Sequence, residues 1–226
     1  MRIKLIIVGI LAVFFSSCID QILGKRYVKM IKQSQRNFED CYQVNGLYNH
    51  FPKSFSNQSV LYSKFSYPTK NFDPDIHYFI DGVLLLNMGE DFKNFYPDTF
   101  IYKTNYSDSN FIVDGSFSYY QYYDTLKILN ISKPKMYPIP FFENYDFGLD
   151  SVRFDLRDAG VLMVIDNYNV PEDLEVFVLK AGNGNYWNIE IDQDRPETLG
   201  NWKNGYSSGI AISRQQNIAV YWMMAW

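Results

Sequence analysis

Histidine and cysteine are nearly missing from this chain, with two of each in 226 residues. A closed structural zinc site takes four Cys, His or carboxylate ligands, so His50, His77, Cys18 and Cys41 make a Cys/His site a poor prospect. The same scarcity weakens serine hydrolysis. Gly205-Tyr206-Ser207-Ser208-Gly209 matches G-x-S-x-G, but in an α/β-hydrolase the histidine follows the serine, and both histidines here lie far upstream. The motif reads instead as a turn before a hairpin. Positive charge is short as well. Lys and Arg number 21 against 25 Asp and Glu, and that acidic balance argues against nucleic acid as a partner, since phosphates are neutralised by clustered cations. No apolar run reaches the ~20 residues of a membrane-spanning helix. Alanine is sparse, no repeat recurs at a fixed period, and no motif calls for a cofactor.

The longest apolar run, Leu5 to Phe15, follows Arg2 and Lys4 and ends in Ser16-Ser17-Cys18, the layout of a secretory signal. Phe15-Ser16-Ser17-Cys18 resembles a bacterial lipobox, with Phe15 where leucine is usual. The resemblance covers only this leader. It implies a signal peptide over 1–17 and lipid attachment at Cys18, tethering the rest to the membrane of a bacterial cell envelope, facing the periplasm or the cell surface; the length after the leader suits a single globular domain over 18–226. Several acyl chains on one cysteine anchor a protein firmly, where a single chain is marginal. Removing Arg2 and Lys4 with the leader takes the formal charge from −4 to −6. A domain of this length can bury a sizeable core without disulfides, and Cys41 is expected as a buried, inert thiol.

What the chain has in excess is aromatic. Nineteen Tyr, eighteen Phe and four Trp make up 18% of it, which favours strands. The predicted fold is α+β: β-rich, mainly antiparallel sheet, with an N-terminal helix and a packed C-terminal hairpin. From Asp20 to Phe38 the pattern is helical, with Leu23, Tyr27, Met30, Ile31 and Phe38 on one side and a stripe of Lys25, Lys29, Lys32 and Arg36. That stripe reads as a solvated helix face, or else as an amphipathic segment lying near anionic head groups. Asp81-Gly82, between Ile76–Ile80 and Val83–Asn87, predicts a tight hairpin turn. Met88 to Phe95 suits a short helix stopped by Pro97.

Thr99–Thr104, Asn110–Asp114 and Ser116–Ile131 read as further strands. The proline-rich stretch Lys133–Pro140 is unsuited to a sheet ladder and reads as a surface excursion, with a subdomain break near 133–140 as the other reading. Val152–Asp158 alternates as a half-buried strand and Val161–Ile165 suits a central one. Leu174–Lys180 and Tyr186–Ile191 follow. Gly209–Ser213, a turn over Arg214–Asn217, and Ile218–Trp226 form the terminal hairpin.

Two groups of side chains are candidates for chemistry. Asp192 with Asp194, and the cluster around Asp166, could offer oxygen ligands to a cation, although neither has the spacing of a complete calcium loop. Paired acids also serve glycosidases when the fold brings them ~5 to 10 Å apart. Tyr119, Tyr120, Tyr122 and Tyr123, in a strand, would present rings on both faces, and Trp187 and Trp202 near glycine- and asparagine-rich loops could extend such a platform toward a glycan or an envelope protein. Ordinary core packing is the competing reading for all six rings. Three functions fit this reading, in this order: a non-catalytic binding lipoprotein, an assembly subunit of an envelope complex, and a carboxylate-dependent hydrolase.

Overall fold

The computed structural model describes residues 24–55, 58–66, 79–89, 92, 95–106, 112–113, 137–142, 145, 147, 170–188 and 201–226. One helix, α1 (residues 24–39), precedes β1 (Ser59–Phe65), β2 (Ile80–Asn87), β3 (Tyr102–Asn105), β4 (Ile112–Val113), β5 (Ile139–Pro140), β6 (Glu175–Asn183), β7 (Gly205–Ser213) and β8 (Ile218–Ala225). Six strands form one sheet in the order β1-β2-β8-β7-β6-β3, and every neighbouring pair is antiparallel. The architecture is α+β and β-rich. The readings over 116–131 and 152–165, together with Cys18 and His77, lie outside the described residues.

Sequence explains the strand order. β8 reads Ile-Ala-Val-Tyr-Trp-Met-Met-Ala, apolar at every position, and a strand of that kind can rest only where both faces are covered. All eight of its residues are buried between β2 and β7. Ala219, Tyr221, Met223 and Ala225 face one core, with α1 and residues 42–51 above them. Ile218, Val220, Trp222 and Met224 face a second core, roofed by Ile139, Phe142, Tyr145, Phe147 and Leu174. The predicted C-terminal hairpin is thus the centre of the sheet, with Trp226 anchored by its indole N–H to the Trp202 carbonyl at 2.8 Å.

α1 lies on the first face through Ile31, Ser34 and Phe38, with Tyr27 and Met30 at the margin. The Ser34 hydroxyl donates to the Ser66 carbonyl at 2.7 Å and meets the Tyr48 hydroxyl at 2.8 Å, so the one polar group in that stripe is satisfied.

Local predictions fail at Asp81-Gly82 and at the end of the proline-rich stretch. Asp81-Gly82 makes no turn: β2 runs straight through it, pairing Asp81 with Met224 and Gly82 with both Phe65 and Met223. Glycine is needed at position 82 for a close approach, since a Cβ there would meet the Tyr48 ring at 2.8 Å. Asp81 is buried, and its carboxylate is held by Lys64 at 2.8 Å and by the Ser66 hydroxyl at 3.1 Å. Two partner strands outweigh a dipeptide's turn propensity. The described end of the proline-rich stretch, residues 137–140, is likewise no surface excursion. Pro138, Ile139 and Pro140 are buried, Ile139 and Pro140 form a two-residue parallel ladder with β4, and the Pro138 carbonyl accepts the Ser207 hydroxyl at 2.6 Å. So short a ladder tolerates a proline that would break a long one.

Candidate functional site

Gly205 to Gly209 forms the first half of β7, so it is neither a turn before the hairpin nor a strand-to-helix elbow. Its glycines serve packing. A Cβ on Gly209 would lie 2.1 Å from the Phe177 carbonyl oxygen and 2.7 Å from the Trp222 ring. Ser207 is fully buried on the second face, against Pro138. His50 stands on the first face, where its ring lies 4.7 Å from Phe51 and 6.4 Å from Tyr221, and its Nε2 sits 3.0 Å from the Trp222 carbonyl. Burial pushes the imidazole pKa down to about 4, against the raising effect of the backbone carbonyls of Trp222 and Gly209. Standing on the opposite side of the sheet, the ring cannot reach Ser207 to activate it.

Cys41 is half-buried and donates its Sγ–H to the Phe38 carbonyl at 3.3 Å. Burial, with Asp40 adding to it, pushes the thiol up to about 11, the inert state. Among the described residues, no group of three or more His, Cys, Asp or Glu side chains gathers where it could hold a metal ion. Asp166, Asp192 and Asp194 lie outside those residues, as do Cys18, Tyr119, Tyr120, Tyr122 and Tyr123.

Trp187 and Trp202 are both described, and they belong to different surfaces. Trp187 is a core residue, 3% exposed, with its ring edge-on to Tyr42 at 4.8 Å and its backbone bridged to Tyr42 beyond the end of α1. Trp202 is half-buried on the second face, 6.2 Å from Tyr137 and 6.3 Å from Trp226. With the sheet between them, the two indoles cannot share one platform.

An exposed aromatic surface exists elsewhere, at the β3 edge. Tyr96, Phe100 and Ile101 are 44%, 40% and 49% exposed. Tyr96 and Phe100 meet at 6.1 Å in a T-shaped contact, and each is also edge-on to the fully buried Phe177 of β6, at 4.9 and 5.4 Å. The two rings are therefore seated on the core at one side and open at the other. Lys103 of β3 reaches over both Phe177 and Tyr96, its Nζ 5.2 and 5.7 Å from their ring centres. Its ammonium is bonded to Glu175 at 2.5 Å, and that hydrogen bond holds the lysine pKa above its usual range.

Arg214, in the β7–β8 turn, completes the rim. Its Nε lies 3.9 Å from Glu175, its Nη2 donates to the Phe95 carbonyl at 3.3 Å, and its guanidinium lies over Phe92 at 5.8 Å. The turn itself is fixed by Asp173, which accepts the Ser213 hydroxyl at 2.6 Å and the Gln215 N–H at 2.9 Å. The result is a pair of aromatic rings bordered by Lys103, Glu175 and Arg214, with exposed Ile101 next to Phe100 in the chain.

Reading Thr99 to Thr104 as one alternating strand hid this patch, because alternation sends every second side chain inward. In the structure pairing begins only at Tyr102, preceded by a single bond from the Ile101 N–H to the Val178 carbonyl at 2.9 Å. Phe100 and Ile101 thus both stay outside. The signal available in the sequence was three large apolar residues flanking Pro97-Asp98, a pair that breaks strands.

No family model, curated protein or solved structure matches the chain.

Proposed function

We propose that this chain is a non-catalytic lipoprotein of a bacterial cell envelope, anchored through lipid on Cys18, and that its domain binds a partner through an exposed aromatic surface. The lipobox-like Phe15-Ser16-Ser17-Cys18 supports the anchor. No helix among the described residues is long and apolar enough to cross a membrane.

The observation that carries the binding role is the Tyr96–Phe100–Ile101 patch. Large apolar side chains standing together at a sheet edge, seated on a buried phenylalanine and ringed by charges of both signs, reproduce the apolar centre and polar rim of a protein interface. Tyrosine and arginine are the residues on which such interfaces concentrate their energy. The rings of Tyr96 and Phe100 are inclined at 72°, an angle that gives no flat shelf for a sugar face. The geometry therefore favours a protein partner over a glycan.

The test is co-purification of the full chain from detergent-solubilised envelope, wild type beside a Tyr96→Ala/Phe100→Ala double variant. A partner present with the wild type and lost with the variant, at equal yield of folded protein, is the expected result. Identical partners for both would remove the patch from the account.

A further inference from the structure

The outer face of α1 carries charge that the fold leaves unused. Lys25, Lys29, Lys32 and Arg36 are all exposed, and at 3.6 residues per turn they fall within a sector of about 60°. Tyr27, Met30, Ile31, Ser34 and Phe38, which face the sheet, occupy the opposite side. The stripe is therefore the outermost surface of the layer above the first core. No acidic side chain among the described residues forms an ion pair with any of the four cations. Glu39, at the end of the helix, is turned to other work, accepting hydrogen bonds from Gln35 at 2.9 Å and from the Gly46 N–H at 3.3 Å.

Two further facts decide what such a stripe meets. Gly24, where α1 begins, stands six residues beyond Cys18, so a lipid on that cysteine holds the start of the helix within about 20 Å of the bilayer even with the intervening chain fully extended. The mature chain carries a formal charge of −6. An anionic surface repels the net charge of such a molecule and attracts this stripe, so electrostatics favours an orientation as well as a contact.

We infer that α1 docks its Lys25–Lys29–Lys32–Arg36 face on anionic phospholipid head groups, laying the helix along the bilayer and turning the opposite side of the sheet away from it. The inference rests on the lipid anchor at Cys18. Each cation brought to an anionic bilayer surface strengthens the contact about fivefold, an effect confined to roughly a Debye length and weakened by salt.

The experiment uses the full lipidated chain reconstituted on vesicles of phosphatidylcholine alone or with about 30 mol % phosphatidylglycerol, a composition that gives the surface a negative potential. Flotation at about 0.5 M NaCl reads the anchor, because salt removes the electrostatic contact but leaves inserted acyl chains in place. Amine labelling of Lys25, Lys29 and Lys32, followed by mass spectrometry, reads the docking, with exposed Lys53 and Lys203 as internal references.

The expected result is flotation on both vesicles. On the anionic vesicles only, labelling of the three helix lysines slows by at least about fivefold, the effect of a single cation, and high salt restores it. Equal labelling on both compositions with flotation intact overturns the docking and leaves the anchor standing. Failure to float at high salt overturns the anchor and the docking with it.

Discussion

β8 and β3 belong to the same sheet and show opposite uses of apolar sequence. β8 has strands on both sides and cores on both faces, and all eight of its residues are buried. β3 has four residues, one strand neighbour among the described residues, and an alternation of half-buried and exposed positions. Just before it, Phe100 and Ile101 leave large apolar surface in water. In the centre, apolar residues hold the fold. At the edge they are free to meet something else, at the cost of an edge that must be guarded against unwanted pairing. Lys103, the short length of β3 and the irregular segment before it provide that guard.

The largest effect should follow from damaging the centre. Trp222→Ala removes a fully buried ring that packs across β8 in the second core, and should lower stability by ~3–5 kcal/mol, measured by urea unfolding. A loss under ~1 kcal/mol would mean that the centre is less tightly built than its burial indicates.

A second effect sharpens the contrast through pH. His50 is neutral in the folded chain, with its pKa lowered from 6.5 to about 4, so the unfolded chain takes up its proton first as pH falls. Its effect on stability is absent above about pH 6.5 and grows to a loss of about 2–3 kcal/mol near pH 4. Urea unfolding of wild type and His50→Gln at pH 7 and pH 4.5 isolates this effect from that of other groups. The variant should lose less stability between the two pH values, because glutamine can still donate to the Trp222 carbonyl without gaining charge. Equal losses would mean that the ring is open enough to carry a proton in the fold.

The smallest effect on stability belongs to the edge. Phe100→Ala should change it by about 1 kcal/mol or less, although phenylalanine is among the most costly core residues to truncate. That modest change would accompany a loss of partner if the patch is an interface, and this separation of stability from binding is what distinguishes the edge from the centre.

How much of this was legible beforehand follows the same division. The run from Ile218 onward could be read as a packed strand, since no polar position interrupts it, but its place between β2 and β7 depends on long-range pairing that the hairpin reading did not contain. α1 was equally plain from the side shared by Tyr27, Met30, Ile31 and Phe38. Asp81-Gly82 misled because turn propensity is a local property, whereas Gly82 is fixed by the Tyr48 ring that arrives from another segment. Gly205 to Gly209 misled for a related reason, its glycines answering to the Phe177 carbonyl and the Trp222 ring rather than to a turn. The same holds for Trp187 and Trp202, whose sequence neighbourhoods look alike although the sheet divides them. The Tyr96–Phe100 patch depends on where pairing with β6 begins, and no periodicity in residues 96–104 specifies that register.

Leu61 of β1, at the other edge of the sheet, supplies the control for the most direct measurement. It is 42% exposed and Phe100 is 40% exposed, yet Phe100 has Tyr96 and Ile101 beside it, while Leu61 is the only exposed large hydrophobic residue described in β1. A photo-crosslinking amino acid would be placed at position 100 or at position 61 of the full chain in its native envelope. The account predicts a discrete crosslinked product from position 100 and none from position 61. Equal crosslinking from both positions, or a product from position 61 alone, would contradict it.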